Sequence, residues 1–367
     1  MKIRLQTQDL VKALYRVQGI VDKKSTNPIL AHALFQTKDN LLEVRATDLE
    51  IALKATYPVA VETPGAIAVQ AKQLYEIVKA LNTDELTLEA SENHWITVKS
   101  GKSEFRLIGT GAEDFPALPE SDNSTRFQID TAKFSNLIEQ TIFCVSHDDT
   151  RHHLGGVYCE APDQQTLRMV STDGHRLALS ESNLDNAVHI AEPVIVPRKA
   201  FQEVKRLLAD AGSSVEVGFT SKSFHLETDA FELSTRLIEG KFPEYSQVIP
   251  VSASKEVPLN RSLFAEALKR VSLLSQGRAW GVKLEIQNEQ VEFIAEDPEF
   301  GTAKETIEIP YKGDALTIGF NAKYLLDVLN LIQTDEVVFQ LTDDLSPGVL
   351  RPLDQKDFLA VVMPVRI

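Results

Sequence analysis

The chain has 367 residues, 43% of them hydrophobic and 25% charged, and 53 acidic against 38 basic side chains leave a net charge of −15. That balance excludes a protein gripping nucleic acid over its whole surface, because such binding depends on cations displacing phosphate counterions. No run of 18 apolar residues occurs, and the opening Met1-Lys2-Ile3-Arg4-Leu5-Gln6 lacks the apolar core of a secretory signal, so the composition is that of an ordinary soluble, intracellular protein.

In chain order, the first predicted element is a helix built on Leu10, Val11, Leu14 and Val17. Lys12 and Arg16 lie four apart on it and are expected to share the face away from those apolar residues. After Ala46-Thr47-Asp48-Leu49-Glu50-Ile51 comes an apolar strand at 67–70 that runs into a helix with a stripe of Leu74, Ile77, Val78 and Leu81, then an alternating strand at 85–89. Pro and Ser interrupt the periodicity at 115–124.

The same plan then recurs. A helix carries Phe134, Leu137 and Ile138, and Ser171-Thr172-Asp173-Gly174-His175-Arg176-Leu177-Ala178 follows. A strand at 194–197 leads into a helix with Val204, Leu207 and Leu208, and another strand spans 214–217. After a second interruption at 248–254 the third copy gives Phe264, Leu268 and Val271 on a helix, then Ala295-Glu296-Asp297-Pro298-Glu299-Phe300. A strand at 316–320 and a helix with Leu325, Val328 and Leu329 precede a strand at 336–340. Asp48, Asp173 and Asp297 thus recur at intervals of about 125 residues, the signature of a tandem repeat. Three units near the common domain size are expected, over 1–122, 123–250 and 251–367.

Charge is unevenly placed. Lys12, Arg16, Lys23 and Lys24 fall on or just after the first helix, Lys72 and Lys79 on the second, and Lys133, Arg198, Lys199, Lys205, Arg206, Arg261, Lys269, Arg270 and Lys323 on the later ones. One basic helix is usually a solvated face; recurrence in all three copies points to a shared polyanion-facing surface on an acidic body.

Asn27-Pro28-Ile29-Leu30, Thr172-Asp173-Gly174-His175-Arg176-Leu177-Ala178, Phe242-Pro243-Glu244-Tyr245 and the end Val361-Val362-Met363-Pro364-Val365-Arg366-Ile367 carry a resemblance over essentially the whole chain. It looks like the bacterial sliding clamp family, the beta subunit of DNA polymerase III. The resemblance implies an α+β fold of three clamp domains, in which helices line a hole and antiparallel sheets lie outside. It further implies a head-to-tail homodimeric ring that slides on double-stranded DNA in the cytoplasm as a non-catalytic processivity factor. Partners implied are the polymerase III alpha subunit, an ATP-driven clamp loader, and other polymerases and repair proteins; no catalytic residue, cofactor, metal or membrane is implied.

Carried over residue by residue, the implied peptide pocket comprises Leu154, Thr172, Gly174, His175, Arg176, Leu177, Pro243, Val248, Leu345, Val361, Val362, Met363, Pro364, Val365 and Arg366. Arg176 or Arg366 is expected to meet polar groups of the peptide. Gln247 and Pro347 depart from the family at the rim, where Arg and a small polar residue are usual. Lys24 is implied as the first DNA contact, joined by Lys12, Arg16, Lys72, Lys79, Arg151, Arg198, Lys199 and Lys205. Phe105 and Leu107 are implied to meet Leu273 and Leu274 of a second copy.

Two other readings compete. Asp173, His175 and Arg176 flank one another as in a small acid/base site, yet neighbours on an extended loop point in different directions. His147-Asp148-Asp149-Thr150-Arg151-His152-His153 holds the ligand types of a metal-dependent phosphohydrolase; the alternative is a solvated loop with Arg151 touching DNA. Cys144 and Cys159 have no CxxC or CxxH partner and read as small buried hydrophobes. No Gly-rich phosphate loop or nucleophile elbow occurs.

Overall fold

The structure, a computed structural model, describes every residue except 22–25, 119–124, 251–252, 276–279 and 367. Among the described residues six α-helices alternate with antiparallel strands: α1 (Thr7–Val17), α2 (Ala71–Lys79), α3 (Thr131–Ile142), α4 (Arg198–Leu208), α5 (Arg261–Val271) and α6 (Ala322–Leu331). The apolar stripes anchor them. Leu10, Leu14 and Val17 of α1, Leu74 and Val78 of α2, and Leu325, Val328 and Leu329 of α6 are fully buried. Helices α5 and α6 begin on side-chain caps: Asn260 accepts the Leu263 N–H at 3.0 Å, and Asn321 accepts those of Lys323 and Tyr324 at 2.9 and 3.3 Å. The stripe expected on α2 is one residue too long. Ala80 and Leu81 donate three residues back to Ile77 and Val78, which tightens and ends the helix, so half-buried Leu81 lies beyond it.

Two compact units result, the first from residues 1–132, 189–192 and 199–237, the second from 133–188, 193–198 and 238–367. They cut across the expected limits at 122 and 250 because strand pairing joins pieces of successive repeats. In the first unit a sheet of thirteen strands runs from Arg126–Asp130 at one edge to Ala60–Thr63 at the other. Its seam pairs Ile51–Pro58 with Phe231–Arg236, Leu53 opposite Leu233. The second unit has an eight-stranded sheet whose seam pairs Arg176–Asn183 with Phe358–Val362, Leu177 opposite Val361. Its other sheet has four strands, ending at Gly301–Glu308.

The recurring aspartates have one job. Oδ1 of Asp48 accepts the N–H groups of Glu50 and Ile51 at 2.9 and 2.7 Å. Oδ1 of Asp173 accepts those of His175 and Arg176 at 2.9 and 3.0 Å, and Oδ1 of Asp297 those of Glu299 and Phe300 at 2.8 and 3.1 Å. Each closes the turn that reverses one strand into the next, as the hydroxyls of Thr220 and Thr228 do for Lys222 and Ser223 and for Ala230 and Phe231. Cys144 and Cys159 are both free and fully buried, and burial pushes both thiols up, away from the reactive thiolate.

Candidate binding surfaces

Alternation along the second unit's seam decides which side chains share a face. Leu177, Leu179, Val349 and Val361 join Leu154, Val170, Ile195 and Phe242 in one apolar cluster, with half-buried Tyr158, Ile238, Tyr245, Ile249 and Leu359 packed on it. Ala178, Phe358, Ala360 and Val362, one residue out of step, belong instead to the cluster beneath α5 and α6. Tyr158 stacks on Phe242 at 4.8 Å between ring centres and meets Tyr245 edge-on at 6.0 Å.

One rim of the cluster is polar and fixed. Arg168 donates Nε to Glu181 at 2.7 Å and Nη1 to Glu160 at 3.1 Å and to the Tyr245 hydroxyl at 3.0 Å, and Tyr245 in turn donates to Glu160. Burial pushes both Tyr158 and Tyr245 up to about 12. Apolar side chains of the same unit are left in solvent: Val248, whose N–H meets the Tyr245 carbonyl, is 42% exposed, Leu345 64%, Met363 38% and Val365 37%. Pro243 and Arg366 are also exposed and Pro364 half-buried. The chain end is held as an extended segment, Met363 N–H donating to the carbonyl of His175 and Val365 N–H to that of Gly319, each at 2.9 Å.

Of the expected pocket residues, Leu154, Leu177 and Val361 belong to the cluster, and two are turned away from it. Val362 lies on the opposite face because it is one residue out of step with Val361. Arg176 is likewise turned away from the cluster: its guanidinium donates to Asp173 at 3.0 Å, Asp327 at 2.6 Å and the Phe143 carbonyl at 3.1 Å, and lies 4.4 Å over the Tyr324 ring. It organises the loop and does not offer a free cation to a ligand. Thr172 donates its hydroxyl to the Arg176 carbonyl at 2.7 Å, while Gly174 and His175 are exposed at the turn. Gly174 sits at φ +90°, and a Cβ there would come within 2.8 Å of Arg151 Nη1. The sequence reading missed Tyr158, Val170, Leu179, Ile195, Phe242, Tyr245 and Val349. Leu179 was recoverable as the next same-face residue after Leu177.

The structure sorts the basic residues more sharply. Lys12, Lys72 and Lys79 are exposed on α1 and α2. Arg16 does not share the open face of Lys12: it is 6% exposed, donates to the Tyr57 hydroxyl at 2.8 Å and lies over the Tyr57 and Phe231 rings. Two aromatic faces and a phenol make burial tolerable there. Arg151 donates Nε to Asp148 at 3.0 Å and Nη1 to the Asp173 carbonyl at 3.2 Å, so it braces the turn at 173–176. Arg198 is half-buried with Nη1 2.7 Å from His147 Nδ1, Lys199 is paired with Asp48, and Lys205 is half-buried. Lys24 lies outside the described residues, as does Lys23.

The decoy sites dissolve into structure. The Asp173 carboxylate is taken up by its turn and by Arg176, so it is not free to act as a base towards His175. Asp148 is held down to about 2 by hydrogen bonds from Thr150 and Arg151. Among the described residues no three His, Cys, Asp or Glu side chains converge as a metal site would need.

Open strand edges mark a third surface. Ser103–Thr110 pairs along its length with Trp95–Ser100 but reaches Ala66–Gln70 only through Gly109 and Thr110. On it Phe105 is partly exposed, Leu107 half-buried and Ile108 68% exposed. Gly301–Glu308 pairs on one side alone. Just past α5, Leu273 is 63% exposed and Leu274 half-buried. Unpaired edges with apolar side chains are aggregation sites unless another strand covers them.

Three copies of one helix-and-sheet unit, two of them joined at each strand-paired seam, define a DNA-clamp protein. Family models for the N-terminal, central and C-terminal domains of the DNA polymerase III beta subunit match residues 1–119, 128–244 and 246–366. The beta sliding clamp of Pseudomonas aeruginosa is 36% identical over the whole of both chains. The crystal structure of the Bartonella birtlesii sliding clamp bound to griselimycin superposes with a TM-score of 0.95 at 33% identity and full coverage of both chains. That of the Bacillus subtilis DNA polymerase sliding clamp gives 0.96 at 31% identity, covering 100% of this chain and 99% of the other. The chain belongs to the DNA polymerase III beta subunit family, the beta sliding clamps, and is a replication processivity subunit with no catalytic role of its own. No described helix is long and apolar enough to cross a membrane.

Proposed function

We propose that two copies of the chain close head to tail into a ring around duplex DNA, with the helices towards the duplex, and that the apolar cluster at the second seam docks short peptides of partner proteins. The cluster carries the reading: its apolar side chains suit a bulky anchor of Leu-Phe type, and Val248, Leu345, Met363 and Val365, exposed on the same unit, are available to extend it, Met363 adapting to the anchor's shape. Its users are the polymerase III alpha subunit, the clamp loader, and other polymerases and repair proteins with similar peptides, all in the bacterial cytoplasm.

A ring retains DNA by topology, so its contacts to phosphate need be neither many nor sequence-reading. Lys12 and Lys72, with Lys24, Arg198, Lys199 and Lys205, supply them, while a net charge of −15 keeps the outer surface off the duplex. Ring closure brings Phe105, Leu107 and Ile108 of one copy to Leu273 and Leu274 of the other. The energy for opening comes from the ATP-driven loader. Titration of a labelled peptide ending in Leu-Phe against the full chain and a chain lacking residues 363–367 tests the docking site. Binding to the first and loss of binding to the second is expected; equal affinity contradicts it.

A further inference from the structure

Arg206 on α4 fastens the end of α1. It donates Nη1 to the Tyr15 carbonyl at 3.0 Å and Nη2 to the Arg16 carbonyl at 2.6 Å, and its Nε is held by Glu203 at 2.9 Å. Its guanidinium also lies 5.0 Å over the Tyr15 ring. In the second unit Arg176 does comparable work: it donates to the Phe143 carbonyl just past α3 and is held by Asp327 on α6. Both joints cap carbonyls at the end of a repeat's first helix with an arginine held by a carboxylate on the next repeat's second helix, the Tyr15 carbonyl also taking the Gln18 N–H at 3.3 Å.

Aligned from their first residues, Ala71, Arg198 and Ala322, the second helices place Glu76, Glu203 and Asp327 at one position. Lys79 and Arg206 coincide three residues later. Aligned likewise from Thr7 and Arg261, the first helices α1 and α5 match Tyr15 and Arg16 with Lys269 and Arg270. The ends of α1 and α3 are fastened inside the chain. The end of α5, beside exposed Leu273, and the exposed Glu76 and Lys79 on α2 are the two halves of an equivalent joint.

We propose that Lys79, oriented by Glu76, closes this third joint in trans, donating to the carbonyl of Arg270 of the partner subunit. This rests on the head-to-tail ring proposed above and moves Lys79 from the DNA-contacting set to the subunit interface. The exchange of arginine for lysine has a consequence. A guanidinium spans two carbonyls with a fixed fork, whereas an ammonium is a single flexible point. Both α5 carbonyls already have one partner inside the chain, the Lys269 carbonyl taking the Ser272 hydroxyl at 3.0 Å and the Arg270 carbonyl the Ser272 backbone N–H, so a partner's cation at Arg270 has only the second lone pair to meet. The joint between copies is thereby the weakest of the three kinds, and the ring parts there before it parts at a seam inside the chain.

Exchange of subunits between two differently labelled preparations, without DNA, tests this. Lys79→Ala should speed exchange about tenfold for the loss of a charged hydrogen bond, Glu76→Gln severalfold, and Lys79→Arg should slow it. Exchange of Lys79→Ala and Lys79→Arg at the unsubstituted rate overturns the proposal. Leu273→Ala with Leu274→Ala separates that failure from failure of the ring reading: the double variant should elute as a folded monomer. If it remains a dimer, closure through this surface is itself wrong.

Discussion

Asp173 and Arg176 hold one another twice: Oδ1 of the aspartate accepts the arginine backbone N–H and Oδ2 accepts its Nε, both at 3.0 Å. This pair shapes the turn that leads into Leu177 of the apolar cluster and aims Arg176 at Asp327 and the Phe143 carbonyl. Asp173→Ala removes the turn's acceptor and leaves a side chain only 11% exposed short of one counter-charge. The expected loss of stability is about 2–3 kcal/mol, with weaker peptide binding because His175 no longer holds the chain end in register. Urea unfolding and peptide titration read the two effects separately.

The same turn in the first repeat is strained. Leu49 occupies the place of Gly174 and has φ +78°, while its side chain is 53% exposed and so contributes little packing. Leu49→Gly relieves the left-handed conformation but adds freedom to the unfolded chain, so a net gain of up to about 1 kcal/mol is expected. Thermal unfolding of the two proteins side by side measures it.

Arg16→Ala should act on the fold and not on the DNA. The substitution strips the Tyr57 hydroxyl of its donor and empties the space between the Tyr57 and Phe231 rings, at a cost of about 2–4 kcal/mol. Protein that remains folded should be retained on DNA as before, whereas Lys12→Glu with Lys72→Glu should shorten retention and leave the unfolding midpoint in place.

Alkaline titration reports on the patch. Tyr158 and Tyr245 are raised from 10.0 to about 12 by burial first, with Glu160 adding to it. Because the folded state holds these protons more tightly than the unfolded chain, the stability they contribute is present in full below pH 10 and is lost as pH rises towards 12. Phenolate absorbance should show Tyr158 and Tyr245 among the late-ionising tyrosines, with Tyr57, Tyr311 and Tyr324 also raised by burial, and Phe242→Ala, which uncovers the Tyr158 ring, should bring one more tyrosine back towards 10 than the unsubstituted chain shows.

The repeat, the helices and the end-to-end family resemblance were legible because each rests on local pattern: a 3.6-residue stripe, an alternating strand, an aspartate at a fixed interval. What escaped depended on partners far away in the chain. Arg16 looked solvent-facing by helical spacing, yet Tyr57 and Phe231 arrive from strands 41 and 215 residues on. The resemblance implies one pocket for Arg176 and Val362 together with Leu177 and Val361, although adjacent strand residues face opposite ways. The aromatic floor of the patch, Tyr158, Phe242 and Tyr245, comes from two segments whose convergence no local period announces.

Topological linkage is the property on which the account stands. The chain is loaded onto nicked circular duplex by a compatible loader with ATP, and the DNA fraction is followed by gel filtration before and after a single cut linearises the circle. Retention on the circle and loss from the linear form is the predicted result. Equal retention on both forms would mean binding by contact, and the ring would be wrong.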